Sequence, residues 1–391
     1  MSRRHLGRVV GGSTYLGLGR VRAAVMLGGL MMSLVMIYVH LALFAAAPAA
    51  LAATVVFTPW RGRLLIDWVS PITAWVTQRQ QAPLPELVGG AGETATMELG
   101  PQAVAFWRAT APRGGSCATR PDDLEQAQES WAQALDLAAN AVRQVTWVAV
   151  LAPAGEQYLA ARGIGDLVAQ SAPMEVFIGA RVSSGSDPRP IARRFSSSGT
   201  GMVALSAEAG AQVLAGLGVG AKLVNGWAEL GLGDDVVRSW AFWAWPHGEL
   251  DPTALTPLLA ARSGCRQSLA IHLWPVPPGA AVRKARQSRA VARTRAATRA
   301  QIGSMDRLED SWESETAAQR EADTLSGYSL WHMSGLVSLR AATREALAAG
   351  AEELSIAATR ANIGLRPMCG QQADAWRASL PLGLAGWREV A

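Results

Sequence analysis

The glycines and lysines that could hold nucleotide phosphates lack the spacing that this chemistry requires. A P-loop has the pattern Gly-x-x-x-x-Gly-Lys-Ser/Thr, in which backbone amides hold the phosphates and the hydroxyl contacts magnesium. The nearest segment, Gly216-Leu217-Gly218-Val219-Gly220-Ala221-Lys222, has neither that spacing nor the hydroxyl. We therefore predict a structural turn at this segment and a chain that does not hydrolyse ATP by itself.

The histidines and cysteines form no pattern that is typical of a metal site. The five histidines include no pair at the helical spacing of zinc ligands, and the three cysteines form no Cys-x-x-Cys. These residues are His5, His40, His247, His272 and His332, with Cys117, Cys265 and Cys369. An odd number of widely separated cysteines also argues against a secreted disulfide framework. No metal ligand is predicted, and no cofactor is expected.

Nucleophiles and acidic pairs are equally uninformative about catalysis. Gly115-Ser116-Cys117 lacks the Gly-x-Ser-x-Gly pattern of a nucleophile turn. The pairs Asp234-Asp235 and Glu352-Glu353 are better explained as helix caps or solvated helix faces than as acid–base groups. A membrane-tethered hydrolase would need a nucleophile and a base close together, and the sequence shows neither. No catalytic residue is predicted, and the chain is not expected to be an enzyme.

A long apolar stretch near the N-terminus predicts a membrane anchor. The 36 residues from Ala23 to Thr58 contain no Asp, Glu, Lys or Arg. As one helix they would extend about 54 Å, whereas a hydrocarbon core is about 30 Å thick, so we predict two spans, 21–39 and 41–57. Arginines flank both sides, which by the positive-inside rule places both termini in the cytoplasm and the chain in the plasma membrane as a multi-pass protein. A signal peptide is the alternative, although the apolar stretch is too long for one.

The remaining sequence divides into an interfacial segment and two α+β regions. We predict a transmembrane hairpin at 1–60, an amphipathic interfacial helix and linker at 61–92, and cytoplasmic α+β domains at 93–239 and 240–391. The interfacial helix is predicted because apolar residues recur at spacings of three and four; an ordinary core helix is the alternative. These residues are Leu64, Leu65, Trp68, Val69, Ile72, Trp75 and Val76.

Periodicity and turn residues predict the order of helices and strands in both α+β regions. Helices are predicted at 124–142, 156–170, 203–216, 254–262, 280–302, 304–325 and 343–361. Strands are predicted at 145–151, 174–182, 240–246, 268–274, 328–340 and 363–369. The predicted fold is membrane-anchored α+β, with helices covering one face of mixed sheets.

The predicted helices within 280–325 carry opposite charges. The first has seven basic residues and no acid, and the second has seven acidic residues and two arginines. The basic residues are Arg283, Lys284, Arg286, Arg289, Arg293, Arg295 and Arg299; the acidic ones are Asp306, Glu309, Asp310, Glu313, Glu315, Glu321 and Asp323. The charges predict an antiparallel helical hairpin in which the two arms complement each other. Contact of segment 283–299 with anionic lipid or nucleic acid is the alternative.

Several landmarks in the C-terminal half occur in an order that resembles a known family. They are Trp243-Ala244-Trp245-Pro246, Gly264-Cys265-Arg266, Trp274-Pro275-Val276-Pro277-Pro278 before the Arg-rich helix, Ala322-Asp323 before Tyr328 and Ser334-Gly335, and Gly370-Gln371-Gln372 with Leu380-Pro381-Leu382. The chain is similar to an actinobacterial conjugation-associated family. In that family a PrgI-like membrane hairpin is fused to a domain resembling the N-terminal part of VirB-type traffic ATPases, without the ATPase core.

The resemblance implies a non-catalytic inner-membrane assembly subunit of a type IV secretion or conjugative DNA-transfer apparatus. Such a subunit would dock a separate motor ATPase and join other inner-membrane subunits in a hetero-oligomeric complex. If segment 280–325 contacts the motor, replacing Arg286, Arg289 and Arg293 by Glu is expected to disrupt that complex. The alternative is an EccE-like component of a type VII secretion system, which also begins with a two-span hairpin.

Overall fold

The computed structural model of the chain describes most of the two α+β regions and the two helices that precede them. The described residues are 20–38, 46–57, 59–60, 63–64, 72, 88–89, 96–99, 102–109, 121–153, 174–182, 190–191, 202–245, 255–302 and 308–382. The chain divides into two compact units. The smaller includes Val9–Ala82, and the larger includes Pro83–Met368 and Gln372–Gly386.

The smaller unit contains two helices, α1 (Arg20–Tyr38) and α2 (Ala46–Phe57), followed by a short two-stranded sheet. The helices pack closely at Gly29, since a Cβ there would lie 2.5 Å from the Cβ of Ala52. The sheet pairs β1 (Pro59–Trp60) with β2 (Arg63–Leu64). The two helices therefore contact each other along a face that has small residues at the closest approach.

The predicted transmembrane hairpin is wrong. None of the described helices is long and apolar enough to cross a membrane. Helix α2 has 12 residues and extends about 18 Å, well short of a hydrocarbon core of about 30 Å. Arg20 and Arg22 lie in the first turn of α1, which leaves about 24 Å of uncharged helix. The uncharged stretch therefore contains two helices, neither of which is a membrane span. The prediction of a multi-pass plasma-membrane protein is wrong for the same reason.

The predicted interfacial helix is also wrong at its start. Arg63 and Leu64 lie in β2, where Leu64 pairs with Pro59 and Arg63 with Trp60. Residues in an antiparallel pair cannot simultaneously begin a helix, because the two backbone conformations differ. Ile72, farther along, is helical, and the rest of the predicted interfacial helix lies outside the described residues. The predicted linker contains a two-residue strand at Val88–Gly89.

The larger unit is built around one extended β-sheet. Its strands are β3 (Val88–Gly89), β4 (Thr96–Leu99), β5 (Gln102–Ala109), β6 (Val142–Leu151), β7 (Met174–Val182), β8 (Met202–Ala204), β9 (Leu223–Asn225), β10 (Leu230–Leu232), β11 (Asp235–Ala244), β12 (Cys265–Pro275), β13 (Trp331–Ala341) and β14 (Gly364–Pro367). Its helices are α3 (Pro121–Ala138), α4 (Ala207–Gly216), α5 (Pro278–Ile302), α6 (Leu308–Leu325), α7 (Arg344–Arg360) and α8 (Gln372–Ala378), with a 3-10 turn at Thr256–Leu259.

The sheet is antiparallel at every described pairing, so the predicted mixed sheets are wrong. The strand order is β3-β4-β5-β7-β6-β12-β13-β11-β10-β9, with β8 beside β5 and β14 beside β11. Strands from both predicted α+β regions belong to it. Helices α5 and α6 together return the chain to the end of β12. Strand β13 therefore runs back along β12, from Trp331 opposite Pro275 to Ala341 opposite Cys265.

One face of the sheet holds two apolar clusters under helices. Leu269, Val337 and Leu339 from the strands pack with Leu347 and Leu354 of α7 in the first cluster. The second cluster joins β5, β6 and β7 to α3, through residues such as Ala134, Val145 and Ile178. Helix α7 begins where the sequence predicts it, because Thr343 caps its first turn by accepting a hydrogen bond from the backbone N–H of Ala346 (3.2 Å).

The opposite face is covered in part by α8 and the residues that follow it. Directly paired residues of antiparallel strands lie on the same face, and the register joins Gly179, Thr146, His272 and Ser334 into one row across β7, β6, β12 and β13. At Gly179 the backbone of Pro381 approaches so closely that there is no space for a Cβ. The segment after α8 therefore lies against this row.

Candidate functional site

The α5–α6 hairpin is held together by small residues. Ala281, Ala285 and Ala292 of α5 are buried, as is Ala317 of α6. Small side chains on facing helices allow the helix axes to approach closely, while the long basic side chains of α5 lie elsewhere on its circumference. Helix α5 begins at Pro278, a residue whose fixed φ suits the first turn.

Opposite charges meet across this hairpin, as the sequence predicts. Arg289 of α5 donates to Glu321 of α6 at 2.5 Å. The Glu321 side chain is 14% exposed and that of Arg289 39%, so the carboxylate is the more sheltered partner. The ion pair links the middle of α5 to the C-terminal end of α6.

Three further arginines of α5 form an exposed basic face, which consists of Arg283, Arg286 and Arg293. Among the residues whose side chains the structure describes, which in α6 begin at Ser314, no carboxylate lies within ion-pair distance of any of them. Their positions in a helix of 3.6 residues per turn place them within one third of its circumference. The basic face therefore presents concentrated positive charge to solvent.

A second polar arrangement is buried in the sheet; we call it the polar row, and it consists of Gln144, Thr146, His272 and Ser334. Thr146 Oγ1 lies 3.2 Å and Gln144 Nε2 3.4 Å from His272 Nδ1, and Gln144 Nε2 lies 3.3 Å from Thr146 Oγ1. His272 is fully buried and Ser334 is 4% exposed. Three polar atoms have no protein partner within the described structure: His272 Nε2, Ser334 Oγ and Gln144 Oε1.

Burial fixes the charge state of the polar row. Removal of the imidazole from water lowers the pKa of His272 from 6.5 to about 3, because a charged group is costly in an apolar interior. His272 is therefore neutral near pH 7. No solvent reaches its side chain, so the polar row in this conformation cannot meet a dissolved substrate.

This burial predicts that stability depends on pH through His272. The folded pKa of about 3 lies below the ordinary 6.5, so between these values the unfolded chain binds the extra proton. The contribution of His272 to the free energy of unfolding should then fall by about 1 kcal/mol per pH unit as the pH drops from about 6 to about 4. Urea titrations at several pH values would measure this slope. In His272→Gln, which does not titrate in this range, the slope should be smaller by that amount; equal slopes would contradict the prediction.

The glycine-rich segment at 216–222 is a turn, as predicted. Gly218 and Gly220 have φ values of 99° and 94°, in the left-handed region that glycine tolerates best. The N–H of Val219 donates to the carbonyl of Leu214 at 2.9 Å, which closes the end of α4. The carbonyl of Gly216 accepts from Arg266 at 2.8 Å, so the segment serves packing rather than phosphate binding.

The structure also places other residues that the sequence analysis considered as candidates for chemistry. Asp235 forms an ion pair with Arg340 at 2.5 Å, which accounts for one member of its acidic pair. Cys265 is buried, donates its thiol to the carbonyl of Ala346 at 3.2 Å, and has a pKa raised by desolvation. The segment Gly115-Ser116-Cys117 lies outside the described residues. No group of three or more potential metal ligands is found in the part of the chain that the structure describes.

Sequence reasoning missed the polar row and a contact between Lys284 and His332. The residues of the polar row are separated by more than 120 positions between β6 and β12, and register alone brings them together. A weak signal existed, because Ser268 and His272 lie on the same face of β12. Lys284 Nζ lies 3.1 Å from His332 Nε2, and nothing in either local pattern predicts that distance.

Comparisons with known proteins add no assignment. No family model matches the chain, and no curated protein matches it. Its function is therefore inferred from its own residues, above all from the basic face and the polar row.

Proposed function

We propose that this chain is a non-catalytic assembly subunit of a type IV secretion or conjugative apparatus, and that it docks a separate motor ATPase through the basic face of α5. The observation that carries the proposal is the exposure of Arg283, Arg286 and Arg293 without a described carboxylate partner. Arg289, on the same helix, has its partner within the hairpin. Positive charge exposed in this way is suited to an acidic surface on another protein.

The landmarks that resemble the conjugation-associated family support this proposal. They lie at junctions around the helical hairpin: Trp243 lies near the end of β11 and Trp245 directly after it, Gly264 precedes β12, and the proline-rich landmark at 274–278 links β12 to α5. Gly264 has φ 65°, a conformation that explains its residue type. Residues at such junctions determine where the hairpin leaves the sheet.

Electrostatics gives the basic face a specific role in assembly. Complementary charge across an interface accelerates encounter and discriminates against wrong partners. An exposed arginine also retains its charge at any physiological pH and can bind a carboxylate through two parallel hydrogen bonds. Docking through this face should consequently weaken as ionic strength rises.

The interior supports a binding role rather than a catalytic one. The polar row is a buried polar arrangement within the sheet, and its histidine is neutral and fully buried. A general acid or base must come within hydrogen-bond reach of its substrate. The polar row is instead positioned to orient the central strands relative to each other.

A charge-reversal experiment tests the proposal. The full chain carrying Arg286→Glu and Arg293→Glu would be tagged, purified with nuclease treatment from its own host, and compared with wild type by quantitative mass spectrometry. We expect a motor ATPase to co-purify with wild type and its recovery to fall at least about tenfold in the variant, since charged contacts across interfaces often contribute more than the 1.4 kcal/mol that this factor requires.

The matched control is the double variant Lys222→Glu and Arg360→Glu, which changes net charge equally at two exposed positions outside α5. Its recovery of the motor should equal that of wild type. Undiminished recovery with the basic-face variant would reject docking through α5. Absence of any secretion motor from the wild-type preparation, or its loss on nuclease treatment alone, would reject direct docking of a motor.

A further inference from the structure

The residues that follow α8 form a short strap across the sheet, and we define the strap as residues 379–382. Helix α8 begins over β11, where the backbone N–H of Ser239 donates to Gln372 Oε1 at 2.8 Å. Pro381, farther along the chain, lies against Gly179 of β7. In the sheet, β13, β12 and β6 lie between β11 and β7. The chain from Gln372 to Pro381 therefore crosses the three strands that carry the polar row.

The strap makes its backbone hydrogen bonds within itself and with α8. The N–H of Ser379 donates to the carbonyls of Ala375 and Trp376 at 3.0 Å. The N–H of Leu382 donates to the carbonyl of Leu380 at 2.8 Å. Among the residues that the structure describes, no backbone hydrogen bond joins the strap to the sheet. Detachment of the strap would therefore leave the strand pairings of the sheet intact.

Apolar contacts hold the strap in place. Leu380 and Leu382 are each 1% exposed, and Pro381 between them fits against the sheet because Gly179 has no Cβ. Apolar burial is non-directional, so these contacts favour the closed strap without the geometric constraint of hydrogen bonds to the sheet. Local opening requires the most free energy in core strands and less in segments that are bonded only to their neighbours in the chain. By this criterion the strap opens more readily than the sheet beneath it.

The polar row destabilises the closed state of the strap. Gln144 Nε2 is a donor and lies 3.4 Å from His272 Nδ1, so Nδ1 is the accepting nitrogen and the proton of the neutral imidazole is on Nε2. That N–H has no protein partner in the described structure, and neither do Ser334 Oγ and Gln144 Oε1. Water would hydrogen-bond all three groups, whereas burial without a partner is unfavourable. Opening of the strap would relieve this penalty by admitting water to the strands that it crosses.

We propose that the strap opens locally while the sheet stays folded, and that the open state exposes the polar row to solvent. Opening exchanges the apolar contacts of Leu380 and Leu382 for hydration of three polar groups. The polar row then presents an imidazole N–H, a hydroxyl and an amide carbonyl on one face of adjacent strands. This inference does not rest on the proposed function, because neither the strap nor the polar row contains a residue of the basic face.

Carbethoxylation of the full chain by diethyl pyrocarbonate near pH 7, followed by peptide mass spectrometry, tests the proposal. The reagent modifies neutral imidazoles that solvent reaches, so modification of His272 reports the open state. We expect His272 to be modified in native buffer at a rate that urea changes little, because local opening exposes far less surface than global unfolding. His332, which is partly exposed, supplies the internal reference for reagent activity. If His272 is modified only as the whole chain unfolds in urea, the proposal is wrong.

Variants test whether the strap is the element that opens. Leu380→Ala combined with Leu382→Ala should accelerate modification of His272 at least about tenfold, since each buried leucine contributes more than this factor requires. Phe242→Ala is the matched control, because it weakens the opposite face of the sheet and should change the rate by less than about twofold. Equal acceleration by the strap variant and the control, or acceleration by neither, would overturn the proposal. If the leucine variant does not fold, Gly179→Ala replaces it with the same criterion.

Discussion

Gly179→Ala should lower the free energy of unfolding by about 3 kcal/mol, at the upper end of the usual cost of overpacking a core. Gly179 lies in β7, where the register sets it opposite Thr146 of the polar row. A Cβ at this position would coincide with the carbonyl group of Pro381. Both groups belong to backbone, so neither can move by a simple change of rotamer. Either the segment after α8 must lift from the sheet or β7 must shift within it.

Urea denaturation followed by tryptophan fluorescence would measure this effect. Gly216→Ala is the matched control, since a Cβ there has no heavy atom within 4 Å and the residue ends α4. Alanine is favoured over glycine in a helix, so the control should be neutral or stabilised by up to about 1 kcal/mol. A change of less than about 0.5 kcal/mol in Gly179→Ala would show that the covering segment does not pack as described.

Phe242→Ala should lower the free energy of unfolding by about 3–5 kcal/mol, the range observed when a large buried aromatic side chain is removed. Phe242 is fully buried in the first apolar cluster. Its ring lies against Gly335, where a Cβ would overlap the ring atoms, and packs edge-on against Trp245 with centroids 4.9 Å apart. The cavity that alanine leaves is enclosed on these sides by backbone and by a rigid aromatic ring.

The neighbouring Trp243 supplies the control for this variant. Its side chain is larger but 62% exposed, so Trp243→Ala should change stability far less than Phe242→Ala. A double-mutant cycle with Gly335→Ala sharpens the test. Gly335→Ala alone should destabilise by forcing the Phe242 ring aside, and the double variant should lose less than the sum of the single losses, because the new methyl group occupies part of the cavity. If the two single losses of stability simply add in the double variant, the contact between the Phe242 ring and Gly335 is contradicted.

Local patterns predicted several elements closely. The strand expected at 174–182 has the same bounds as β7, and the helix expected at 343–361 differs from α7 by one residue at each end. In both cases the signal is local: β-branched and apolar residues in the first, and a threonine cap before a periodic apolar stripe in the second. The hairpin charge pairing was confirmed for the same reason, since Arg289 and Glu321 lie on arms of clear and opposite composition.

Elements that depend on distant partners were not predicted. Strands β9 and β10 have three residues each and contain too little sequence to show alternation. The antiparallel sheet order follows from pairing between remote segments, which helix and strand spacing does not encode. The membrane prediction failed because a lack of charge is necessary for a span but says nothing about where a helix ends. The polar row and the contact between Lys284 and His332 depend on strand register and helix packing, which the local sequence around each residue does not reveal.

The close approach of Pro381 to Gly179 has a consequence during synthesis of the chain. Roughly 200 residues separate the two. At 5–20 residues per second, the ribosome needs about 10–40 s after β7 has been made to synthesise the segment that contains Pro381. Throughout that interval one face of β6 and β7, with apolar residues such as Val148 and Phe177, lacks its final neighbour. A nascent chain at this stage presents a surface that holding chaperones bind, and chains that stop before Pro381 should be the most prone to aggregate and to be degraded.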